Sequence, residues 1–172
     1  MIYESGSGQP SFGVGFAPQE VLIRRRLYAP VQIRPFNPDD EKSVVALWQR
    51  CDLVRPWNDP HRDIQRKLRV RPEWFLVGVL DGQIVATVMA GYEGHRGWLN
   101  YLAVAREFQR CGFARAIVAQ AERLLSEAGC PKINLQIRTS NQGVIEFYRH
   151  LGYSVDDVVS MGKRLEPGGR VA

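Results

Sequence analysis

The fold is decided by residues 98–129, which read WLNYLAVAREFQRCGFARAIVAQAERLLSEAG. Aromatic and branched residues at 98–104 predict a β-strand. Beyond this strand, apolar residues recur at the spacing of one helical face, which predicts a long amphipathic helix that starts near Gly112. The residues on that face are Ala114, Ile117, Val118, Ala121, Leu124, Leu125 and Ala128. Gly129 is suited to end the helix in a left-handed conformation.

The turn between this strand and helix, residues 109–115 (QRCGFAR), has the composition of an anion-binding site. The first N–H groups of a helix lack intrahelical partners and carry partial positive charge, so a phosphate can bind there. Gly112 would let the backbone approach a phosphate, and Arg110 and Arg115 add formal charge. The same spacing also fits an ordinary turn with solvated arginines, because short glycine patterns are weakly specific.

The composition favours a single domain with an anionic partner. A chain of 172 residues, 45% of them hydrophobic, can bury a core. The net charge of +5 favours a nucleic acid or a phosphate-bearing cofactor, and the basic cluster at 24–26 is too small to favour nucleic acid. Cys51, Cys111 and Cys130 form no close pair, so we expect no disulfide, no metal site and a cytoplasmic location. No apolar run suits a membrane span and no signal peptide is recognisable, so no membrane association is expected.

The rest of the chain predicts the element order β-α-α-β-β-β-α-β-α-β. Asn37 and Asp59 are suited to cap helices, and Asp81-Gly82 predicts a hairpin. The predicted strands cover 31–35, 74–80, 84–92, 98–104 and 132–137, with one or two closing strands in 153–165. Residues 1–30 are loop-like and are interpreted as an N-terminal extension that packs on its own domain or on a neighbouring subunit, and residues 31–172 as one domain.

Two motifs then carry a family resemblance. Gln109-x-x-Gly112-x-Ala114 resembles the Q/R-x-x-G-x-G/A loop of the GNAT superfamily of acyl-CoA-dependent N-acyltransferases. Residues 141–153 resemble its N…Y-x-x-x-G-F/Y block. With the element order, the resemblance covers about residues 31–165. Residues 51–60, 91–97 and 162–165 are most similar to the YpeA-like bacterial acetyltransferases.

The resemblance implies a GNAT fold of the α/β (α+β) class, with a mixed sheet of about six or seven strands flanked by about four helices. It also implies acetyl-CoA as co-substrate, without a metal. The pyrophosphate would bind the loop amides, and the pantetheine arm would bind backbone groups of Leu102 and Val104, whose side chains also suit a core strand. The implied loop residues are Gln109, Arg110, Cys111, Gly112, Phe113, Ala114 and Arg115. We interpret the Cys111 thiol as structural.

Tyr148 and Asn141 each have two interpretations. Without the resemblance, Tyr148 is a core aromatic residue. With it, its hydroxyl is the general acid that protonates the departing CoA thiolate, and it also belongs to the cofactor site. Asn141 is suited to cap its helix, to contact the cofactor, or both.

The acceptor amine must lose its proton before it attacks. At pH 7 a lysine-type amine with a pKa of about 10.4 is only ~0.04% neutral, whereas an α-amine is about 14% neutral. Glu93 and His95 are the candidate general bases, although both also fit a polar hairpin turn. Related N-terminal acetyltransferases of ribosomal proteins carry Glu where this chain has Gln136, which disfavours that activity by the same mechanism.

Arg55, Trp57 and Asn58 lie between the first two helices, where the superfamily often builds the acceptor pocket, and Asp59 is expected to cap the second helix. Arg55 and Trp57 are interpreted as residues that could hold an anionic or flat acceptor. The predicted function is therefore transfer of an acetyl group from acetyl-CoA to an amine of a small molecule or a protein. An acyl-CoA sensor without turnover is the alternative from another class. Dimers are common in the superfamily, and the sequence defines no interface.

Overall fold

A five-stranded sheet organises the part of the chain that the computed structural model describes, residues 31–163 and 165. The strands are β1 (Gln32–Pro35), β2 (Phe75–Leu80), β3 (Gln83–Tyr92), β4 (Gly97–Val104) and β5 (Ile133–Asn134). They lie side by side in chain order. The first three pairings are antiparallel, and β4 and β5 are parallel. The predicted N-terminal extension, residues 1–30, falls outside the described residues.

Two pairs of helices cover the two faces of the sheet. Helices α1 (Glu41–Arg50) and α2 (Pro60–Leu68) bury Leu47, Trp48 and Ile64 against one face. Helices α3 (Phe113–Glu127) and α4 (Gln142–His150) cover the other face. The buried residues of α3 there are Ile117, Val118, Ala121 and Leu125. Within residues 31–163 and 165, no helix has the length and apolar character that a membrane span requires.

Local sequence signals produce the ends of these elements as predicted. The Asn37 side chain and Asp40 form a reciprocal capping box ahead of α1. The Asp59 carboxylate caps α2 by accepting from the N–H groups of His61 and Arg62, at 3.0 and 3.2 Å. Asp81 and Gly82 both have positive φ, 48° and 74°, as the tight hairpin between β2 and β3 requires. These predictions are confirmed.

Strand β4 contains a bulge that separates two registers. Thr87 on β3 pairs with Ala103, and Met89 pairs with Asn100, so β4 carries one extra residue between these pairs. Tyr101 lies in that interval with φ of 52°, a left-handed conformation that is uncommon for an aromatic residue. The bulge therefore turns the second half of β4 relative to its first half.

Strands β4 and β5 pair only at their beginning. Their ladder consists of Gly97 with Ile133 and Trp98 with Asn134. Gly97 allows this close approach, because a Cβ built there would lie 2.7 Å from Cys130 Sγ. Beyond Trp98 the described chain adds no strand to this edge of β4. The second half of β4 thus keeps one edge open.

The prediction of six or seven strands is wrong by one or two, since the described residues form five. The strand predicted at 132–137 is reduced to two residues because β4 turns away from it. Within the described part of 153–165 there is no closing strand. Side chains do bring this segment alongside β5, through Lys132 Nζ to Asp156 Oδ2 at 2.6 Å. Without backbone pairing, the segment stays irregular.

Candidate active site

The open edge of β4 presents backbone groups of Leu102 and Val104. The Ala105 N–H donates to the Val85 carbonyl of β3 at 2.9 Å, so residue 105 faces β3. Because successive residues of a strand direct their backbone groups to opposite edges, Val104 and Leu102 face away from β3. That is the edge from which β5 has diverged. The Val104 carbonyl there accepts from Gln109 Nε2 at 3.3 Å and from Cys51 Sγ at 3.4 Å.

The loop after β4 leads to an uncapped helix start. Arg110 and Gly112 both have positive φ, 63° and 83°. No side chain caps α3, and its first bond runs from the Ala116 N–H to the Gly112 carbonyl at 3.0 Å. A Cβ built on Gly112 would meet no atom within 4 Å, so space is open beside the first amides. These amides, from Phe113, Ala114 and Arg115, together with two exposed arginine side chains, suit a phosphate group.

Tyr148 projects from α4 into the apolar cluster that also contains the side chains of Leu102 and Val104. The residue is 6% exposed, and its ring packs edge-on against Phe147 and Tyr153. Among the described residues its hydroxyl has no hydrogen-bond partner, yet it is not one of the fully enclosed unpaired atoms. The hydroxyl oxygen therefore keeps some accessible surface.

Burial raises the pKa of Tyr148, and the carboxylate of Glu122 raises it further. The Glu122 carboxylate itself accepts a hydrogen bond from the Tyr153 hydroxyl at 2.7 Å. A phenol with a raised pKa stays protonated at neutral pH. It can thus donate a proton but does not act as a base. At the helix start, Asn141 Oδ1 accepts from the Val144 N–H at 3.4 Å, so its predicted capping role is confirmed.

A cleft with a volume of about 390 Å³ opens on the opposite face of the sheet, between α2 and the bulge of β4. Leu53 and Met89 give it apolar walls. Its polar groups come from Asp63, Asn100 and Tyr101. Asn100 and Tyr101 precede Leu102 directly in the chain, so the cleft and the open edge of β4 meet at the bulge.

The side chain of Tyr101 joins β4 to two helices at this cleft. Its hydroxyl donates to Asp63 Oδ2 at 2.6 Å, which links β4 to α2. Asn58, in the loop before α2, is close enough to lower the pKa of this hydroxyl, against the larger effects that raise it. The ring stacks on the indole of Trp48 with centroids 4.1 Å apart. Burial and then the bond to Asp63 raise the pKa of Tyr101, so this phenol also remains protonated.

A buried hydrogen-bond chain fixes the backbone of Tyr101 from beneath. The Trp48 indole N–H donates to Thr87 Oγ1, and the Thr87 hydroxyl donates to the Tyr101 carbonyl, both at 2.9 Å. Trp48 and Thr87 are both 0% exposed. The bulge is thus held by side chains of α1 and β3 in place of a ladder hydrogen bond.

None of the three residues predicted to bind the acceptor is among the residues that line the cleft. Asn58 is close enough to the Tyr101 hydroxyl to influence its pKa. Arg55 donates from Nη2 to Asp52 Oδ2 at 2.8 Å, and its Nε is buried without a partner in the described part of the chain. Trp57 is 54% exposed. Their assignment to the acceptor stays a prediction.

The two predicted bases lie in the turn between β3 and β4. Gly97, the first residue of β4 after this turn, lies three residues before Asn100 of the cleft, which is about 10 Å along the strand. Glu93 is fully exposed and accepts the Arg96 N–H at 2.9 Å, and this bond lowers its pKa. A base works best with a pKa near the working pH, so the change is in the wrong direction. Neither Glu93 nor His95 lines the cleft, and their role stays a prediction.

Sequence reasoning missed Asp63, Tyr101 and Thr87. One signal was available for Thr87, because a lone hydroxyl inside the apolar run of β3 indicates a buried hydrogen bond. Asp63 follows the helix cap at Asp59 by one turn, which fixes its position on α2. Nothing local predicts that it faces Tyr101, which is 38 residues away.

Comparison with known proteins identifies the family. The sequence model of the acetyltransferase (GNAT) family matches residues 42–153. An acetyltransferase of Pectobacterium atrosepticum is 48% identical over 135 residues, which cover 78% of this chain and 96% of that protein. The chain therefore belongs to the acetyltransferase (GNAT) family. It is an acyltransferase, and the relative described here is bacterial.

Solved structures share the fold. Ard1 from Thermoplasma volcanium has a TM-score of 0.67 and 26% identity, covering 73% of this chain and 84% of that one. The structure of AAC(6')-Iy with the bisubstrate analogue CoA-S-monomethyl-acetylneamine has a TM-score of 0.66 and 18% identity, covering 79% and 99%. The second likeness concerns the fold alone.

Proposed function

We propose that this protein is an acetyl-CoA-dependent N-acetyltransferase that transfers the acetyl group directly to an amine. The observation that carries the proposal is the open edge of β4 next to the uncapped start of α3. An extended amide-bearing arm can pair with the former while a pyrophosphate binds the latter. Family membership supports the same donor, and the CoA-based analogue bound to AAC(6')-Iy is consistent with it.

The cofactor residues act mainly through their backbone. The amides of Phe113, Ala114 and Arg115 bind the pyrophosphate, with charge from Arg110. The Leu102 N–H points to the open edge, where it hydrogen-bonds to the thioester carbonyl. As the amine attacks, negative charge develops on that oxygen, and one such donor contributes about 3 kcal/mol to lowering the barrier.

Tyr148 completes the reaction as general acid. The amine nitrogen bonds to the carbonyl carbon, the carbon–sulfur bond breaks, and the thiolate takes the proton of the Tyr148 hydroxyl. The acceptor amine gives up its own proton to solvent or to a base, so that the atoms balance. Burial keeps the Tyr148 hydroxyl protonated until the thiolate forms, and because the raised pKa also weakens this acid, the transfer depends on the hydroxyl lying next to the sulfur.

A calorimetric titration with acetyl-CoA tests the proposal, with ATP as a control for generic phosphate binding. We expect one-to-one binding of acetyl-CoA and at least tenfold weaker binding of ATP. An amine panel then follows, with release of the CoA thiol as the readout. Equal, salt-sensitive binding of both nucleotides would reject the cofactor site, and acetyl-CoA binding without thiol release for any amine would favour a sensor.

A further inference from the structure

The cleft beside the β4 bulge carries one formal charge, and that charge is negative. Its lining consists of Leu53, Asp63, Met89, Asn100 and Tyr101, with a single carboxylate and no cationic side chain. Leu53 and Met89 lie beside this carboxylate in the lining, where they can contact the methylene groups of an aliphatic cation. The cleft is therefore suited to a cation and unfavourable for an anion.

The Asp63 carboxylate is held in a fixed orientation. Its Oδ2 accepts from the Tyr101 hydroxyl at 2.6 Å, and its Oδ1 accepts from Arg66 Nη1 at 2.9 Å. The Tyr101 ring cannot swing away, because it is stacked on the fully buried Trp48. The carboxylate side chain is 23% exposed, so it is accessible from the cleft.

Two hydrogen bonds do not saturate this carboxylate. An ionised carboxylate offers about four acceptor positions. Arg66 pairs with one oxygen from a side chain that is 51% exposed, and such exposed ion pairs are weak, so a bound ammonium can compete with it for this carboxylate. Asp63 therefore retains both acceptor capacity and charge toward the cleft.

We propose that this cleft is a subsite for a cationic aliphatic amine, with Asp63 as the group that binds an ammonium of the acceptor. The inference rests on the proposed function, because the cleft meets the open edge of β4 at Tyr101 and Leu102, where the acetyl group would lie. Acceptors with a second ammonium are favoured, and acceptors with a carboxylate or phosphate near the amine are disfavoured.

The test compares two probes of equal length, 1,5-diaminopentane and 5-aminopentanoate, which differ in the charge of one end. Each is titrated calorimetrically into the full-length protein saturated with CoA, so that no turnover occurs. We expect the diamine to bind at least tenfold more tightly. Equal affinities, or tighter binding of the aminopentanoate, would overturn the inference without the need for a variant.

Variants then assign the effect to Asp63. Asp63→Asn removes the charge that holds the ammonium, so it should weaken diamine binding about tenfold or more. Tyr101→Phe keeps the charge and should weaken it less. The matched control Glu127→Gln removes a surface carboxylate that pairs with Arg123 on α3 and should leave the affinity unchanged.

The outcomes separate this inference from the proposed function. If CoA itself does not bind, the proposed function fails. If CoA binds to wild type and to Asp63→Asn with equal affinity, the variant is folded and the cofactor site is intact. Unchanged diamine affinity in that variant would then overturn the subsite alone.

Discussion

Replacing Thr87 by valine removes one hydroxyl from the buried chain that holds the β4 bulge. Valine keeps the branched shape, so the change isolates the hydrogen bonds from the packing. The Tyr101 carbonyl loses a donor and the Trp48 indole N–H loses an acceptor, each at 2.9 Å in the wild type. No water can replace them easily, because Trp48 and Thr87 are 0% exposed.

The magnitude follows from these two unpaired groups. Leaving a buried donor or acceptor without a partner costs about 1–3 kcal/mol each. Slight relaxation of the bulge recovers part of this, so we expect Thr87→Val to lower the free energy of unfolding by about 2–4 kcal/mol. The left-handed conformation of Tyr101 also costs about 1–2 kcal/mol, and without the Thr87 hydroxyl the hydrogen bond that holds this conformation is absent.

Urea unfolding followed by far-ultraviolet circular dichroism measures the difference, and an unchanged m-value confirms that the same cooperative unit unfolds. The matched variant Thr87→Ser retains the hydroxyl and loses only a methyl group, so it should cost about 1 kcal/mol. Thr87→Ser must therefore be the more stable of the two variants. If Thr87→Val equals or exceeds Thr87→Ser in stability, the hydrogen bonds do not hold the bulge.

Three other perturbations have defined outcomes. Tyr148→Phe should lower kcat at least tenfold and leave the calorimetric Kd for acetyl-CoA unchanged; an unchanged kcat would reject the acid role. Gly97→Ala should lower the free energy of unfolding by about 1–3 kcal/mol, since its Cβ would lie 2.7 Å from Cys130 Sγ, whereas Gly91→Ala, with nothing within 4 Å, is the control. Burial lowers the pKa of Lys67 to about 8, from an unfolded value near 10.5. Between those values the unfolded chain binds a proton that the folded chain lacks, so urea unfolding from pH 8 to 10 should show wild-type stability rising relative to Lys67→Met. A constant difference would contradict that pKa.

Local chemistry accounts for the parts of the fold that the sequence predicts. The caps at Asn37 and Asp59 and the Asp81-Gly82 hairpin depend on residues within a few positions of each other. The amphipathic period places α3, and the order of elements as far as α4 is confirmed. These signals need no knowledge of distant partners.

The prediction of a closing strand is wrong because a strand, unlike a cap or a hairpin, depends on a distant partner. Its sequence has strand-forming residues, but a strand exists only where a partner backbone lies at hydrogen-bonding distance. Gln136 Nε2 lies 2.5 Å from Ser160 Oγ, so the two segments are near each other. The described residues nevertheless form no ladder there. No local pattern encodes that spacing.

The candidate site divides in the same way. The loop at 109–115 and Tyr148 could be singled out from the sequence because contiguous motifs contain them, and their roles in the site stay predictions. The cleft could not, because Leu53 comes from the loop after α1, Asp63 from α2 and Tyr101 from β4. The bulge itself depends on Tyr101 adopting a positive φ, which sequence propensity disfavours and tertiary contacts impose.

The two-residue ladder between β4 and β5 has a thermodynamic consequence for the C-terminal part of the described chain. Opening the unit of β5 and α4 breaks few interstrand hydrogen bonds, so its local unfolding free energy is governed by how α4 packs on the apolar cluster around α3. A bound molecule that spans the gap between β4 and this unit would couple ligand affinity to that local equilibrium. Because the β4–β5 ladder is the shortest in the described sheet, a ligand that spans the gap would add directly to the stability of this unit.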